Sequence, residues 1–141
     1  MGMYTELVMA SEIKNDQKVI DILRVMIGEK YSDDLHFDLP DHPLFKSEDQ
    51  LWKYMLRIDS YYFSGTTHAT LEEKYLEPVS PSYYLTIRCN FKNYGNEIQK
   101  FLDWLSPYIE DIGFIGYYRY EENGRPTLIF HSMTKGIIYD E

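Results

Sequence analysis

The sequence predicts a single α+β domain, residues 1–141, in which a largely antiparallel sheet carries two main helices on one face. Two segments predict strand-to-helix units, because alternating apolar residues give way to apolar residues at helical spacing. A third segment, near the end of the chain, has the composition of a β-hairpin. The arrangement is close to a ferredoxin-like plan with extra strands and an inserted short helix.

The first strand-to-helix unit lies near the start of the chain. Its strand alternates Leu7, Met9 and Ile13 with Glu6, Val8, Ala10 and Glu12. Asn15 and Asp16 are candidates for the N-cap of the following helix, and Gly28 is expected to end it. This helix would bury one stripe of residues, namely Val19, Ile20, Leu23, Met26 and Ile27.

The second unit is the clearest pattern in the chain. Odd-numbered residues from Tyr83 to Phe91 are apolar, as in a strand with one buried face. The residues between them include Thr86, Arg88, Asn90 and Lys92. Asn96 is expected at the N-cap of the next helix and Pro107 near its end. Its apolar stripe comprises Ile98, Phe101, Leu102, Leu105, Tyr108 and Ile109. The two units align at their strand-to-helix junctions, which is compatible with a duplicated β-α unit.

The segment between the two units combines an acidic connector with weaker signals. The connector, residues 31–46, contains prolines and is expected to be irregular. Ser47 and Gln50 have the spacing of a capping box, which predicts a short helix after them. Two short strands are then predicted, at residues 58–63 and 67–75, with turn residues between them.

The last third of the chain predicts a hairpin around Asn123 and Gly124. These residues accept the positive φ angles of a type I′ turn, and β-branched and aromatic residues flank them. Such a turn pairs Tyr118 with Ile129 and Tyr117 with Phe130. The two pairs lie on opposite faces, so both faces of the ribbon are apolar. A sheet with helices on one side does not need a second apolar face, and we therefore expect something to cover it.

Charge and cysteine content limit the functional classes. The chain has 23 acidic and 14 basic residues, a formal charge of −9, and its basic residues are dispersed. Direct nucleic-acid binding is therefore not expected, and a basic protein is favoured as a partner. Net negative charge also keeps a protein soluble without any partner. A single cysteine gives no disulfide framework, and no signal peptide or membrane span is recognisable. These features predict a cytoplasmic protein without membrane contact.

Candidate chemistry is sparse. The segment 36–42 contains His36, Asp38, Asp41 and His42, side chains that can bind a metal or act as acid and base. Their spacing matches no helix-based motif, and an acidic surface loop also accounts for them. Cys89 falls on the apolar face of its strand and is expected to be an inert core residue. His131 is expected to be hydrogen-bonded and half-buried. No cofactor, metal or catalytic group is predicted.

Tyrosine is the unusual feature of the composition. There are fourteen, several in adjacent pairs: Tyr61 with Tyr62, Tyr83 with Tyr84, and Tyr117 with Tyr118. Neighbours in a strand point to opposite faces, so each pair sends one ring away from its partner's face. Tyrosine is favoured in recognition surfaces, although strand propensity also explains its abundance. The predicted binding residues are Tyr62, Tyr84, Tyr117, Tyr118 and Arg119.

Three stretches, MGMYTEL at the start, DSYYF in the middle and RCNFKNYGNEIQKFLDW later, resemble a group of small proteins of bacteriophages and prophages. The resemblance covers most of the chain, from its first residues to the second helix. It lies in strands, turns and helix faces and carries no reactive site. It implies a host-cell cytosol and an accessory role, such as interference with a host machine or defence system.

The sequence therefore favours a non-enzymatic accessory protein that binds a protein partner through an acidic, tyrosine-rich sheet face. The same surface can serve self-association as a homodimer. The alternative is a module that sequesters a small molecule or nucleotide in an aromatic pocket, with Arg57, Arg88 or Arg119 as the cation. A DNA mimic and a metal-dependent hydrolase around residues 36–42 receive less support.

Overall fold

The computed structural model describes residues 3–60, 62–77 and 80–141, so Tyr61 lies outside the described residues. In this part of the chain, six strands form one antiparallel sheet and two α-helices pack on it. The strands are β1 (Tyr4–Ile13), β2 (His68–Glu77), β3 (Ser80–Lys92), β4 (Gly113–Tyr120), β5 (Thr127–Ser132) and β6 (Gly136–Asp140). The helices are α1 (Gln17–Met26) and α2 (Glu97–Leu105).

The connectivity of the sheet confirms the predicted fold class. The strand order is β2-β3-β1-β4-β5-β6, and all neighbours are antiparallel. The central strands β1 and β3 each lead into a helix. The first four strands and two helices thus follow the β-α-β-β-α-β plan that the sequence predicts, and β5 and β6 extend the sheet beyond β4.

The alternation predicted for the two central strands is confirmed. Leu7 pairs with Cys89 and Met9 with Ile87, so odd-numbered residues of both strands share a face. All odd-numbered residues of β1 from 5 to 13 and of β3 from 83 to 91 are buried. We call this side of the sheet the helix face and the opposite side the open face. Each aliphatic side chain buried there contributes roughly 1.5–3 kcal/mol of transfer free energy.

The two helices begin in different ways. For α1, the side chain of Asp16 accepts hydrogen bonds from the backbone N–H of Lys18 at 3.1 Å and of Val19 at 3.4 Å, as the sequence predicts. Asn96 stands at the N-cap of α2, but its φ is 57° and its side chain caps nothing. Asn93 replaces it, because its Oδ1 accepts from the N–H of Ile98 at 2.9 Å. No helix among the described residues is both long and apolar enough to cross a membrane.

The insert between α1 and β2 departs from prediction in two places. The predicted short helix is a pair of 3-10 turns, Leu51–Lys53 and Met55–Arg57, and Gln50 precedes them with φ at 51° and no side-chain cap. The predicted capping box is therefore wrong. The strand predicted at residues 58–63 is also wrong for its described residues. This segment leaves the helix side of the molecule and crosses the end of the sheet, where the carbonyl of Ile58 accepts from the N–H of Asn90 at 3.0 Å. The second predicted strand is confirmed as β2.

The C-terminal hairpin forms with a different turn. Tyr117 pairs with Leu128 and Tyr118 with Thr127, two residues away from the predicted register. A two-residue turn at Asn123 and Gly124 would place a proline in the strand ladder at position 126, where it has no N–H to donate. The chain instead forms a six-residue loop, and neither turn residue has a positive φ. A shift of two residues preserves the faces, so the prediction that both faces carry apolar residues is confirmed. The strand β6 was not predicted.

Candidate functional site

The open face of the sheet carries a partly exposed apolar patch over β4, β5 and β6. The residues of this apolar patch are Phe114, Tyr117, Leu128, Phe130 and Ile138. The Phe114 and Phe130 rings pack edge to face with their centroids 5.7 Å apart. Phe114 is 58% exposed and Ile138 is 39% exposed. No helix in the described part of the chain packs on this side of the sheet, so the patch is available to a partner.

One end of the open face, at β1 and β3, is covered by the chain itself. Residues 60–66, apart from the undescribed position 61, pass over the ends of β1 and β3. Asn90 is fully buried there, and its Oδ1 accepts from the N–H of Ser60 at 2.8 Å. Gly65 lies against Arg88, since a Cβ on this glycine would stand 2.7 Å from the guanidinium carbon. This loop covers the ends of β1 and β3, whereas the cover that the sequence predicts over the second face of the C-terminal hairpin is not formed by any described helix.

Beneath this covering loop is a buried ion cluster made of Glu6, Arg88 and Arg119. The Glu6 side chain is 1% exposed. Its Oε2 accepts from Arg88 Nη2, and its Oε1 accepts from Arg119 Nη2 at 3.2 Å. Arg88 also donates to the carbonyl of Ser64 in the loop. The cluster therefore ties β1 to the strands on both sides and to the loop above them.

The arginines that the sequence offered as cations for an anionic ligand are all engaged by the protein. Arg88 and Arg119 share Glu6, and the Arg119 guanidinium also lies 5.0 Å from the centroid of the Phe63 ring. Arg57 donates to the carbonyls of Met26 at 3.3 Å and Lys53 at 3.2 Å. These contacts hold elements of the fold together, although the Arg119 side chain stays 40% exposed.

The predicted tyrosines do not form one surface. Tyr117 belongs to the apolar patch, whereas Tyr84 lies on the open face of β3 with Lys74 Nζ 5.2 Å from its ring centroid. Tyr62 is exposed on the covering loop, and its ring centroid is 5.2 Å from that of Tyr4. Tyr118 lies on the helix face, edge to face with another tyrosine in β6. The prediction that adjacent tyrosines point to opposite faces is confirmed for residues 83–84 and 117–118.

Three residues of the apolar patch were not singled out from the sequence, namely Phe114, Leu128 and Ile138. The signal for Leu128 and Ile138 was a short alternation in β5 and β6, which is weak because each strand has only five or six residues. Phe114 precedes a β-bulge at Ile115, which breaks the alternation.

His42 and His131 serve structural roles. His42 Nδ1 accepts from the N–H of Leu44 at 3.1 Å, and its Nε2 lies 2.8 Å from Asp103 Oδ2. Because Nδ1 is an acceptor, Nε2 carries the proton and donates it to the carboxylate. Both nitrogens are occupied, so this histidine is poorly placed to take a proton from a substrate. His131 is buried, with Nδ1 2.7 Å from the carbonyl of Asp111.

The described residues contain no group of three or more His, Cys, Asp or Glu side chains placed to hold a metal ion. Cys89 is fully buried, and burial raises the pKa of its thiol far above the ordinary value. A thiol in this state is a poor nucleophile and a poor metal ligand.

A cleft of about 570 Å³ lies between α2 and β6 on the helix face. Lys100 and Lys135 line it together with Asp103 and Tyr139. Desolvation, aided by the neighbouring Tyr118 and Asp103, raises the pKa of Tyr139 to about 12. Two lysines and an aromatic ring are the chemistry that a small anionic ligand with a flat ring would use.

No protein-family model, curated protein or solved structure matches this chain. The positions of the apolar patch, the ion cluster and the cleft are then the basis for assigning a function.

Proposed function

We propose that this protein is a non-enzymatic accessory protein that acts by binding a basic protein through the apolar patch. The observation that supports this most directly is the exposure of Phe114 beside Phe130 and Ile138, on a sheet side that no described helix covers. The centres of protein interfaces are built from such aromatic and aliphatic side chains, which contribute binding free energy because their apolar surface is removed from water. Isolated exposed apolar residues need no explanation, but a contiguous group of five on one sheet face does.

The charge around the patch favours a basic partner. Asp140 pairs with Leu128 at one edge of the patch. Glu12 and Asp111 meet near the start of β4, where the backbone N–H of Glu12 donates to Asp111 Oδ2 at 2.9 Å. With a formal charge of −9 on the whole chain, these carboxylates attract a cationic surface and accelerate its encounter with the patch.

The resemblance to small bacteriophage and prophage proteins supports a setting in the host cytosol. In that setting the partner is a component of a host machine or defence system, and the accessory protein inhibits it by occupying a functional surface. The described geometry is compatible with this role because the patch needs no cofactor and no conformational change to be exposed.

The test compares the wild-type protein with two variants of matched chemistry. Phe114→Gln removes the most exposed aromatic ring of the patch, and Tyr31→Gln removes a ring that is 82% exposed on the insert. Tagged proteins are used to capture binding proteins from a bacterial host, and each captured protein is then purified and its affinity measured. We expect a basic protein that binds wild type and Tyr31→Gln equally and Phe114→Gln at least ten-fold more weakly.

Hydrogen exchange on the purified complex then locates the interface. We expect slower exchange of backbone amides in β4 and β5 upon binding, with β2 unchanged. Protection confined to the insert or to the helices, or equal affinity of the two variants, would contradict the proposal.

The cleft between α2 and β6 supports a second candidate, a module that sequesters a small molecule or nucleotide. Its support is the placement of Lys100, Lys135 and Tyr139 around one opening. Isothermal titration with nucleotides separates the two functions. Heat with one-to-one stoichiometry that disappears in Lys100→Ala favours the cleft, whereas no heat leaves the protein-binding proposal in place.

The DNA mimic receives less support from the described open face. Its carboxylates there lie on separate strands, Glu12 on β1, Glu72 on β2 and Asp140 on β6, and the fourth, Glu6, is neutralised by two arginines. A row of charges at phosphate-like spacing is not formed by these residues.

A further inference from the structure

We propose that β6 is the site at which two copies of this chain associate, pairing antiparallel about a two-fold axis at Ile138. The two sheets would join edge to edge into one continuous sheet. This inference goes beyond the proposed function, because it concerns the edge of the sheet and a second copy of the chain, whereas the proposed function concerns the open face and a foreign protein.

The two edges of the sheet differ in how they resist pairing. The strand β2, at one edge, has Glu72, Glu73 and Lys74 in succession and a register irregularity after them. Charged side chains and irregular register both discourage the addition of another strand. The strand β6, at the other edge, pairs only with β5 among the described strands. From Gly136 to Tyr139 it contains no charge, no proline and no bulge.

The side chains of β6 are apolar on both faces of the sheet. Ile138 lies on the open face next to Phe130, its cross-strand partner in β5. Ile137 and Tyr139 lie on the helix face, where α2 leaves the cleft above them. A free edge with apolar side chains above and below it gains both backbone hydrogen bonds and buried area when a strand is added.

The charges at the ends of β6 indicate that the added strand is a second copy. Antiparallel pairing centred on Ile138 places each Ile137 opposite Tyr139 of the second copy. It also brings each Lys135, in the turn just before β6, near Glu141 of the second copy, which directly follows β6. Two opposite-charge pairs then form, one at each end of the interface. Neither Lys135 nor Glu141 has an ion-pair partner among the described residues, so both charges are available.

Other two-fold registers lose this complementarity. Centring the pair on Ile137 places Lys135 opposite Tyr139 and Glu141 opposite Met133. Centring it on Tyr139 places Asp140 opposite Ile138 and Glu141 opposite Ile137, so neither carboxylate meets a cation. Of these three registers, only the one centred on Ile138 pairs the charges at both ends, and like the other two it keeps the helices of both copies on the same side of the joined sheet.

The experiment is a charge swap read by sedimentation equilibrium over a wide range of protein concentration. We expect the wild-type mass to rise with concentration from the monomer value of 16.9 kDa toward twice that value. Lys135→Glu and Glu141→Lys each replace both attractive pairs by repulsive ones, and each should weaken the dimer about ten-fold or more. The double variant restores the pairs with their signs exchanged, and its dimer should return to near the wild-type affinity.

Lys74→Glu is the matched control, since it makes the same charge change at an exposed position of the opposite edge strand. We expect it to dimerise like the wild type. A wild-type protein that stays monomeric at all concentrations overturns the proposal. So does a dimer that both single variants leave intact, or a double variant that is no better than either single one.

Failure here is distinguishable from failure of the proposed function. The dimer test changes only Lys135 and Glu141, and the partner test changes Phe114. If the protein is monomeric and Phe114→Gln weakens partner binding, this inference alone is contradicted. If the protein dimerises and Phe114→Gln leaves partner binding unchanged, the proposed function alone is contradicted.

Discussion

Replacing Glu6 by Gln tests how strongly the buried ion cluster stabilises the fold. The substitution keeps the size of the side chain and an acceptor oxygen, but it removes the negative charge between Arg88 and Arg119. Breaking a buried ion pair by removing one partner costs roughly 3–5 kcal/mol, because the remaining charge is left without compensation. We expect the lower end of this range, since the Arg119 side chain is 40% exposed and can turn toward water.

The assay is thermal and urea unfolding followed by circular dichroism. An unfolding entropy of about 2.1 cal/mol/K per residue gives roughly 0.3 kcal/mol/K for 141 residues. A loss of about 3 kcal/mol therefore lowers Tm by about 10 °C. Glu12→Gln is the matched control, because Glu12 lies on the same strand and the same face but makes no ion pair among the described residues. Its cost should stay within about 0.5 kcal/mol.

A Glu6→Gln protein that unfolds within about 1 kcal/mol of the Glu12→Gln protein would refute the reasoning. It would mean that water reaches the carboxylate and that the covering loop does not exclude it. A double-mutant cycle with Arg88→Met adds a second check. We expect the double variant to recover part of the stability, because it removes one of the two uncompensated positive charges.

Three further predictions concern single residues. Gly116→Ala should lower the unfolding free energy by about 1–3 kcal/mol or more, because the new Cβ would lie 2.2 Å from the carbonyl oxygen of Val8. Gly124→Ala is the control and should be neutral, because open space surrounds that position. Cys89 should react with a disulfide reagent at neutral pH only as fast as the protein opens, and labelling as fast as in urea would show that the thiol is not buried. The Tyr139 phenol has a pKa of about 12 in the folded protein and 10.0 ordinarily, so the free energy of unfolding should decrease as pH rises through that interval. In unfolding curves measured at a series of pH values, Tyr139→Phe should show a smaller decrease.

The sequence predicted the elements whose pattern is local. The alternation from Tyr83 to Phe91 fixes which face of β3 is buried, and the helical stripe after it requires a helix on that face. Strand order then follows from short connections and from the need to cover one face. Asp16 could be recognised as a cap because a cap acts within three residues of the chain.

The features that sequence patterns missed depend on long-range pairing. Glu6 looks like an ordinary solvent-facing position of β1, and nothing near it in the sequence indicates two arginines 82 and 113 residues away. The alternation likewise predicts Asn90 to be polar and outward, although the covering loop buries it. The observed hairpin register differs from the predicted one because the chain forms a six-residue loop that ends at Pro126. A tight turn would place this proline in the strand ladder, where it has no N–H to donate. The bulge at Ile115 shifts the pairing again farther from the turn.

The candidate site was predicted in part. Tyr117 and Phe130 were expected on the same face, and they are. The exposure of that face beyond β4 depends on how far the covering loop extends across the six-stranded sheet, which no single segment encodes.

The position of Phe45 has a practical consequence for optical measurements on this protein. Its ring lies 5.1 Å from Trp52 and 5.3 Å from Trp104, and these are the two tryptophans of the chain. Tryptophan fluorescence will therefore report whether the insert is seated on α2. An emission change without any loss of far-ultraviolet circular dichroism would indicate that the insert lifts away while the strands stay hydrogen-bonded, a partially open species that absorbance or mass measurements alone would overlook.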